Sequence, residues 1–142
     1  MRLDTLTPRE ASIFACVCDT VVAPRPALPP VRDTDAVEFM DRWLGKAPRL
    51  NRAGLRALLY AAEIAPRALG GGGRLRSLPE SERASFLARM ERSRRAGEVV
   101  KLVKGIAFLA YYGDDDVMRG LGYDPDGNVE RARELRAREG RP

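Results

Sequence analysis

Few residues in this chain could do chemistry, and their types limit what that chemistry would be. Histidine is absent, which removes the commonest general base and the commonest metal ligand together. Cys16 and Cys18 are the only thiols. On a helix, a C-x-C pair points its sulfurs roughly 200° apart, which suits neither a zinc site nor a disulfide. A small buried residue beside a half-exposed one is the plainer reading, and free thiols fit a reducing compartment. Asp114-Asp115-Asp116 offers carboxylates to a divalent cation, but acids at a helix start are also what the helix dipole favours. Asp124-x-Asp126-Gly127-Asn128 resembles a calcium loop superficially, with a proline inside it and no following ligand set. The four glycines at 70–73 invite a phosphate-loop reading. No strand precedes them and no Lys-Ser/Thr follows, so that reading fails. The residues thus predict no catalytic, cofactor-binding or metal-binding site.

Charge is the next feature with functional meaning. The 142 residues carry 25 basic and 20 acidic side chains, a formal net charge of +5. Such a balance suits an acidic partner or a polyanion. The mixing of signs favours an ordinary arginine-rich surface instead. The densest basic stretch lies between 74 and 104 and includes Arg92-Ser93-Arg94-Arg95, a knot that the dipole of a helix C-terminus favours by itself. No helix-turn-helix pattern with interleaved bases and aromatics accompanies it, so nucleic-acid binding stands as the alternative function rather than the first.

The elements that would position these residues read as helices throughout. Thr7-Pro8-Arg9-Glu10 is a capping box with proline at the first helical position. The helix it opens carries Ile13, Val17 and Val21 and should end near Val22, before Pro24. Four prolines between 23 and 32 predict an extended connector lying on the helices. Asp33 or Thr34 is expected to cap a second helix to about Lys46, with Val37, Met40 and Leu44 inward and Phe39 and Trp43 beside them. Asn51 is expected to cap a third, striped by Leu55, Leu58, Leu59 and Ala62, with Pro66 kinking or breaking it near Ala65. Ser77-Leu78-Pro79-Glu80 has the spacing of another capping box, opening a helix to about Ser93 with Phe86, Leu87 and Met90 inward. Residues 99–112 form the most apolar helix. After Lys104 it is apolar on every face, which predicts a central helix enclosed on all sides. Asp114 should cap a short helix over 115–120. Residues 122–127 read as turn, and 128–138 as a charged helix in which only Val129 and Leu135 could dock.

The fold class expected is therefore all-α: about five main helices around a buried central one at 99–112. The domain would span 1–127, with 128–142 a charged C-terminal helix or tail. With 44% hydrophobic residues the chain is globular. It shows no signal peptide and no membrane-span pattern, which predicts a cytoplasmic protein.

The order of several short segments resembles a known family. These are Leu55-x-x-Leu58-Leu59, Ser77-Leu78-Pro79-x-x-x-Arg83, the run Lys101 to Tyr112, and Gly120-Leu121-Gly122-Tyr123-Asp124-Pro125. They are preceded by Leu6-Thr7-Pro8 and by Cys18-Asp19-Thr20-Val21-Val22-Ala23-Pro24. Over about residues 6–126 the chain resembles the small-subunit family typified by gluconate 2-dehydrogenase subunit 3. It is similar also to the helical N-terminal region of long-chain fatty alcohol oxidases. The resemblance implies a non-catalytic accessory subunit without a cofactor of its own. Its partner would be a large glucose-methanol-choline-type flavoprotein that holds FAD and oxidises an alcohol, sugar or sterol. A hetero-oligomer follows, with no nucleic acid and no membrane span. The aromatic residues Phe39, Trp43, Tyr111, Tyr112 and Tyr123 are the candidate partner contacts, since aromatics are enriched at interface hot spots. A basic helical regulatory or nucleic-acid-binding module is the alternative, and an autonomous binder with a pocket beside the 99–112 helix is a third reading.

Overall fold

The computed structural model describes residues 3–24, 26–94 and 96–140, with backbone alone at Pro125. Every regular element among them is helical. The order is α1 (Pro8–Val22), a 3-10 turn (Val31–Asp33), α2 (Ala36–Lys46), α3 (Arg49–Ala68), a 3-10 turn (Leu75–Ser77), α4 (Glu80–Glu91), α5 (Gly97–Tyr112), α6 (Asp115–Gly120) and α7 (Pro125–Arg138).

Helix α1 is built as its sequence dictates. Thr7 Oγ accepts from the Glu10 N–H at 3.2 Å, and the Glu10 carboxylate accepts from the Thr7 N–H at 2.8 Å. The helix ends at Ala23, whose N–H makes the last bond to the Asp19 carbonyl and whose left-handed φ of 44° turns the chain away. Ile13, Phe14, Val17 and Cys18 are buried. Helices α2, α3, α4 and α5 all pack against α1. The hub of the bundle is therefore α1, not the 99–112 helix. The reason is geometric: α1 buries Ile13, Phe14, Val17 and Cys18 among its neighbours, and α5 has more apolar surface than neighbours to cover it.

The contact between α1 and α5 is close because small residues make it. Cys18 faces α5 with its thiol donating weakly to the Ala107 carbonyl at 3.6 Å, and Ala107 and Ala110 are both fully buried. Tyr111 is buried too, its hydroxyl donating to the Pro29 carbonyl at 2.7 Å. That bond fastens the proline-rich connector across the end of α5. The connector is not extended throughout, since Val31–Asp33 turns into a 3-10 segment that buries Val31.

Several helix starts differ from expectation. α2 begins at Ala36, so neither Asp33 nor Thr34 is its N-cap; Asp35 occupies that position and makes no side-chain cap. Asp33 is spent in the preceding turn. α3 begins at Arg49 behind Pro48, which sets the extended entry angle and leaves Asn51 inside the first turn. Pro66 is accommodated within α3, which runs on to Ala68. The glycine run then stops it: Gly70 has φ +84° and the Gly71 N–H returns to the Pro66 carbonyl at 2.7 Å. Ser77 caps nothing, because it lies in a 3-10 turn and donates to the Arg74 carbonyl. α4 begins behind Pro79 and ends at Glu91, short of Ser93. α7 starts at Pro125 rather than 128, with Asp124 Oδ1 accepting from the Gly127 N–H at 3.0 Å. No residue of α7 whose side chain is described is buried.

Three buried carboxylates tie segments together. Asp41 accepts from the N–H groups of Asp4, Thr5 and Leu6 at 3.0, 2.9 and 2.6 Å, anchoring the segment before α1 onto α2. Glu63 holds the 3-10 turn at 75–77, accepting from Arg76 Nε at 3.0 Å, while Arg76 also reaches Ser12 on α1. Asp114 caps α6 through Oδ1, which accepts from the Asp116 and Val117 N–H groups, and Oδ2 accepts from the Asp35 N–H at 2.8 Å.

Candidate functional site

The outer face of α5 departs from a closed bundle. Residues Leu102, Gly105, Leu109 and Tyr112 recur at i, i+3, i+7 and i+10, with Phe108 alongside, and all are exposed. Leu102 is 60% and Leu109 57% exposed. The enclosure expected for this helix is thus half right: Val103, Ile106, Ala107, Ala110 and Tyr111 face the core, and the opposite stripe faces solvent. Gly105 sits in the middle of that stripe, and a Cβ built on it would meet nothing within 4 Å. Glycine in an exposed helix interior costs roughly 1 kcal/mol against alanine. Bare backbone there permits close approach by another chain.

The five aromatic candidates fall into different environments. Tyr112 is 39% exposed and joins the stripe, 6.0 Å from the Phe108 ring and edge-on to Tyr111 at 5.1 Å. Tyr111 itself is fully buried and is a core residue, not a partner contact; its position one residue earlier turns it inward toward Pro29. Phe39 is half-buried and packs against the core. Trp43 on α2 and Tyr123 between α6 and α7 are both exposed. Among the described residues no ring contact joins either to the α5 aromatics. Sequence reasoning missed Leu102 and Leu109. The signal for them was present, because a helix apolar on every side needs more neighbours than a chain this short supplies.

Beside this stripe lies a groove between α1, α3, α4 and α5, with a volume of about 170 Å³. Val17 and Val21 form its α1 wall, Ala62 and Ala65 its α3 wall, and Met90 and Val103 stand opposite. Among the described residues the single charged one on it is Lys104, whose ammonium is held by both oxygens of Glu91 at 3.1 and 2.9 Å.

The residues considered for chemistry have structural partners instead. Asp114 spends both oxygens on backbone N–H groups. Burial alone would raise its pKa, but those donors outweigh burial and hold it below the ordinary carboxylate value. Asp116 pairs with Arg119 at 2.8 Å. No grouping that could hold a metal ion occurs among the described residues. Cys16 and Cys18 are free thiols, one half-buried and one buried. Burial pushes the Cys18 thiol up to about 12. Burial also raises Cys16, against the opposing pull of Arg83, whose Nη1 lies 3.4 Å from the sulfur. Neither is an activated nucleophile. In the basic knot Arg92 and Arg94 are exposed, and Arg95 lies outside the described residues. Among the described residues no helix is long and apolar enough to cross a membrane. No protein-family model matches this chain, and no curated protein and no solved structure matches it.

Proposed function

We propose that this chain is a non-catalytic accessory subunit that docks through the outer face of α5 on a larger FAD-dependent oxidoreductase of the glucose-methanol-choline type. The observation that supports docking is the Leu102–Gly105–Leu109–Tyr112 stripe, which leaves apolar side chains and bare helix backbone in water on the most apolar element of the fold. The class of partner rests on the resemblance of residues 6–126 to the gluconate 2-dehydrogenase subunit 3 family. The chemistry would sit in the partner, which would carry the FAD and oxidise an alcohol, sugar or sterol in a cytoplasmic hetero-oligomer. The experiment is to isolate the chain from its native extract under mild conditions and record the visible spectrum of what accompanies it. A co-purifying large yellow protein is the expected result, and a monodisperse, colourless monomer overturns the proposal.

A second reading, nucleic-acid binding, draws on α3. Arg49, Arg52 and Arg56 line one hollow on its surface, and among the described residues Arg56 alone of the three is ion-paired, to Glu10. A duplex retarded in a gel at low salt and released as salt rises would favour that reading over the first.

A further inference from the structure

We propose that the groove between α1, α3, α4 and α5 is a binding site for a small, uncharged, apolar molecule, of the size of one aromatic ring or an alkyl chain of about six carbons. Size, wall chemistry and charge each narrow the ligand. The groove holds about 170 Å³. An engineered cavity of about 150 Å³ lined by aliphatic and aromatic side chains takes up benzene. A drug-sized ligand needs at least about 300 Å³ and is too large.

The walls decide polarity. They are aliphatic and aromatic carbon from four helices, so a hydroxyl or amide placed inside would lose its water partners and gain none. Among the described residues Lys104 at the edge is the one group that could draw a carboxylate or phosphate. Its ammonium is already clasped by both oxygens of Glu91, so an anionic headgroup would have to break that pair. The ligand is therefore neutral. Met90 lends the groove an adaptable wall. Ala62 and Ala65 are the positions at which larger side chains would fill it.

The test uses the full chain with toluene as probe, followed through the methyl resonances of Met90, Val99 and Val103. Saturable shifts confined to these groove methyls are expected, with benzoate at least tenfold weaker. Ala62→Leu should abolish the toluene shifts while the melting temperature stays equal or rises. Should that variant fail to fold, Ala65→Val makes the same measurement with a smaller intrusion. Absence of saturable shifts overturns the proposal, as do equal shifts in the filled variant or benzoate binding as tightly as toluene. No toluene shifts in the free chain, with the same groove methyls shifted instead by an apolar segment of the co-purified partner, overturns it in favour of a protein side chain as the occupant.

Discussion

Asp114 accepts a hydrogen bond from the backbone N–H of Asp35, 79 residues earlier in the chain, while its other oxygen caps α6. One carboxylate thereby sets the start of α2 relative to the end of α5. Asp114→Ala leaves three N–H groups short of an acceptor, two of them α6 cap donors. It should destabilise the domain by about 2–3 kcal/mol in urea titration. Asp114→Asn retains an acceptor oxygen for one end and should lose about half of that.

Acid should unfold the protein through Asp41 and Asp114. Burial opposes ionisation of both, yet the N–H donors around each, with Arg42 beside Asp41, hold their folded pKa values below the ordinary one. A depressed carboxylate contributes stability that is complete above its unfolded pKa and is lost as pH falls through the folded value. The melting temperature should therefore stay level on descending toward about pH 5 and drop below about pH 4. Asp41→Asn should flatten that drop; an acid limb unchanged in the variant would assign it elsewhere.

The two faces of α5 should separate stability from association. Leu102→Glu and Leu109→Glu change exposed positions and should shift unfolding by no more than about 0.5 kcal/mol. Each should nonetheless release the partner in a pull-down. Gly105→Ala should stabilise the free chain by about 0.5–1 kcal/mol while weakening association. Tyr111→Phe, which removes the hydroxyl from the Pro29 carbonyl, should cost about 1 kcal/mol.

Thiol labelling checks the interior of α1. At pH 8 iodoacetamide should modify Cys16 slowly and Cys18 only when denaturant is added, because a thiol with a pKa of about 12 presents almost no thiolate. Equal rates at the two positions in the native protein would contradict the packing of Cys18 on Ala107.

What could be read from sequence was whatever is local. The Thr7–Glu10 box and the Asp114 cap involve partners within three residues, so spacing alone revealed them. The Asp114–Asp35 and Tyr111–Pro29 bonds span 79 and 82 residues and left no pattern to find. Ser77-Leu78-Pro79-Glu80 has the capping spacing, but a tight turn claimed Ser77 first. Periodicity told which residues of α5 are apolar and could not tell how many helices exist to cover them. That is why Leu102 and Leu109 emerged outside, and why Tyr111 emerged inside while Tyr112 did not. A pocket beside the 99–112 helix was one of the readings open from sequence, but its other walls were not legible, since they come from separate segments.

The placement of α1 at the centre has a consequence for synthesis. Its inward residues are made early, whereas the α5 surface that covers Cys18 is completed only at Tyr112. At about 5–20 residues per second, the interval is roughly 5–20 s. Throughout it the nascent chain presents Ile13, Phe14 and Val17 without their full set of neighbours. A ribosome-associated chaperone would find the inward face of α1 uncovered during that interval.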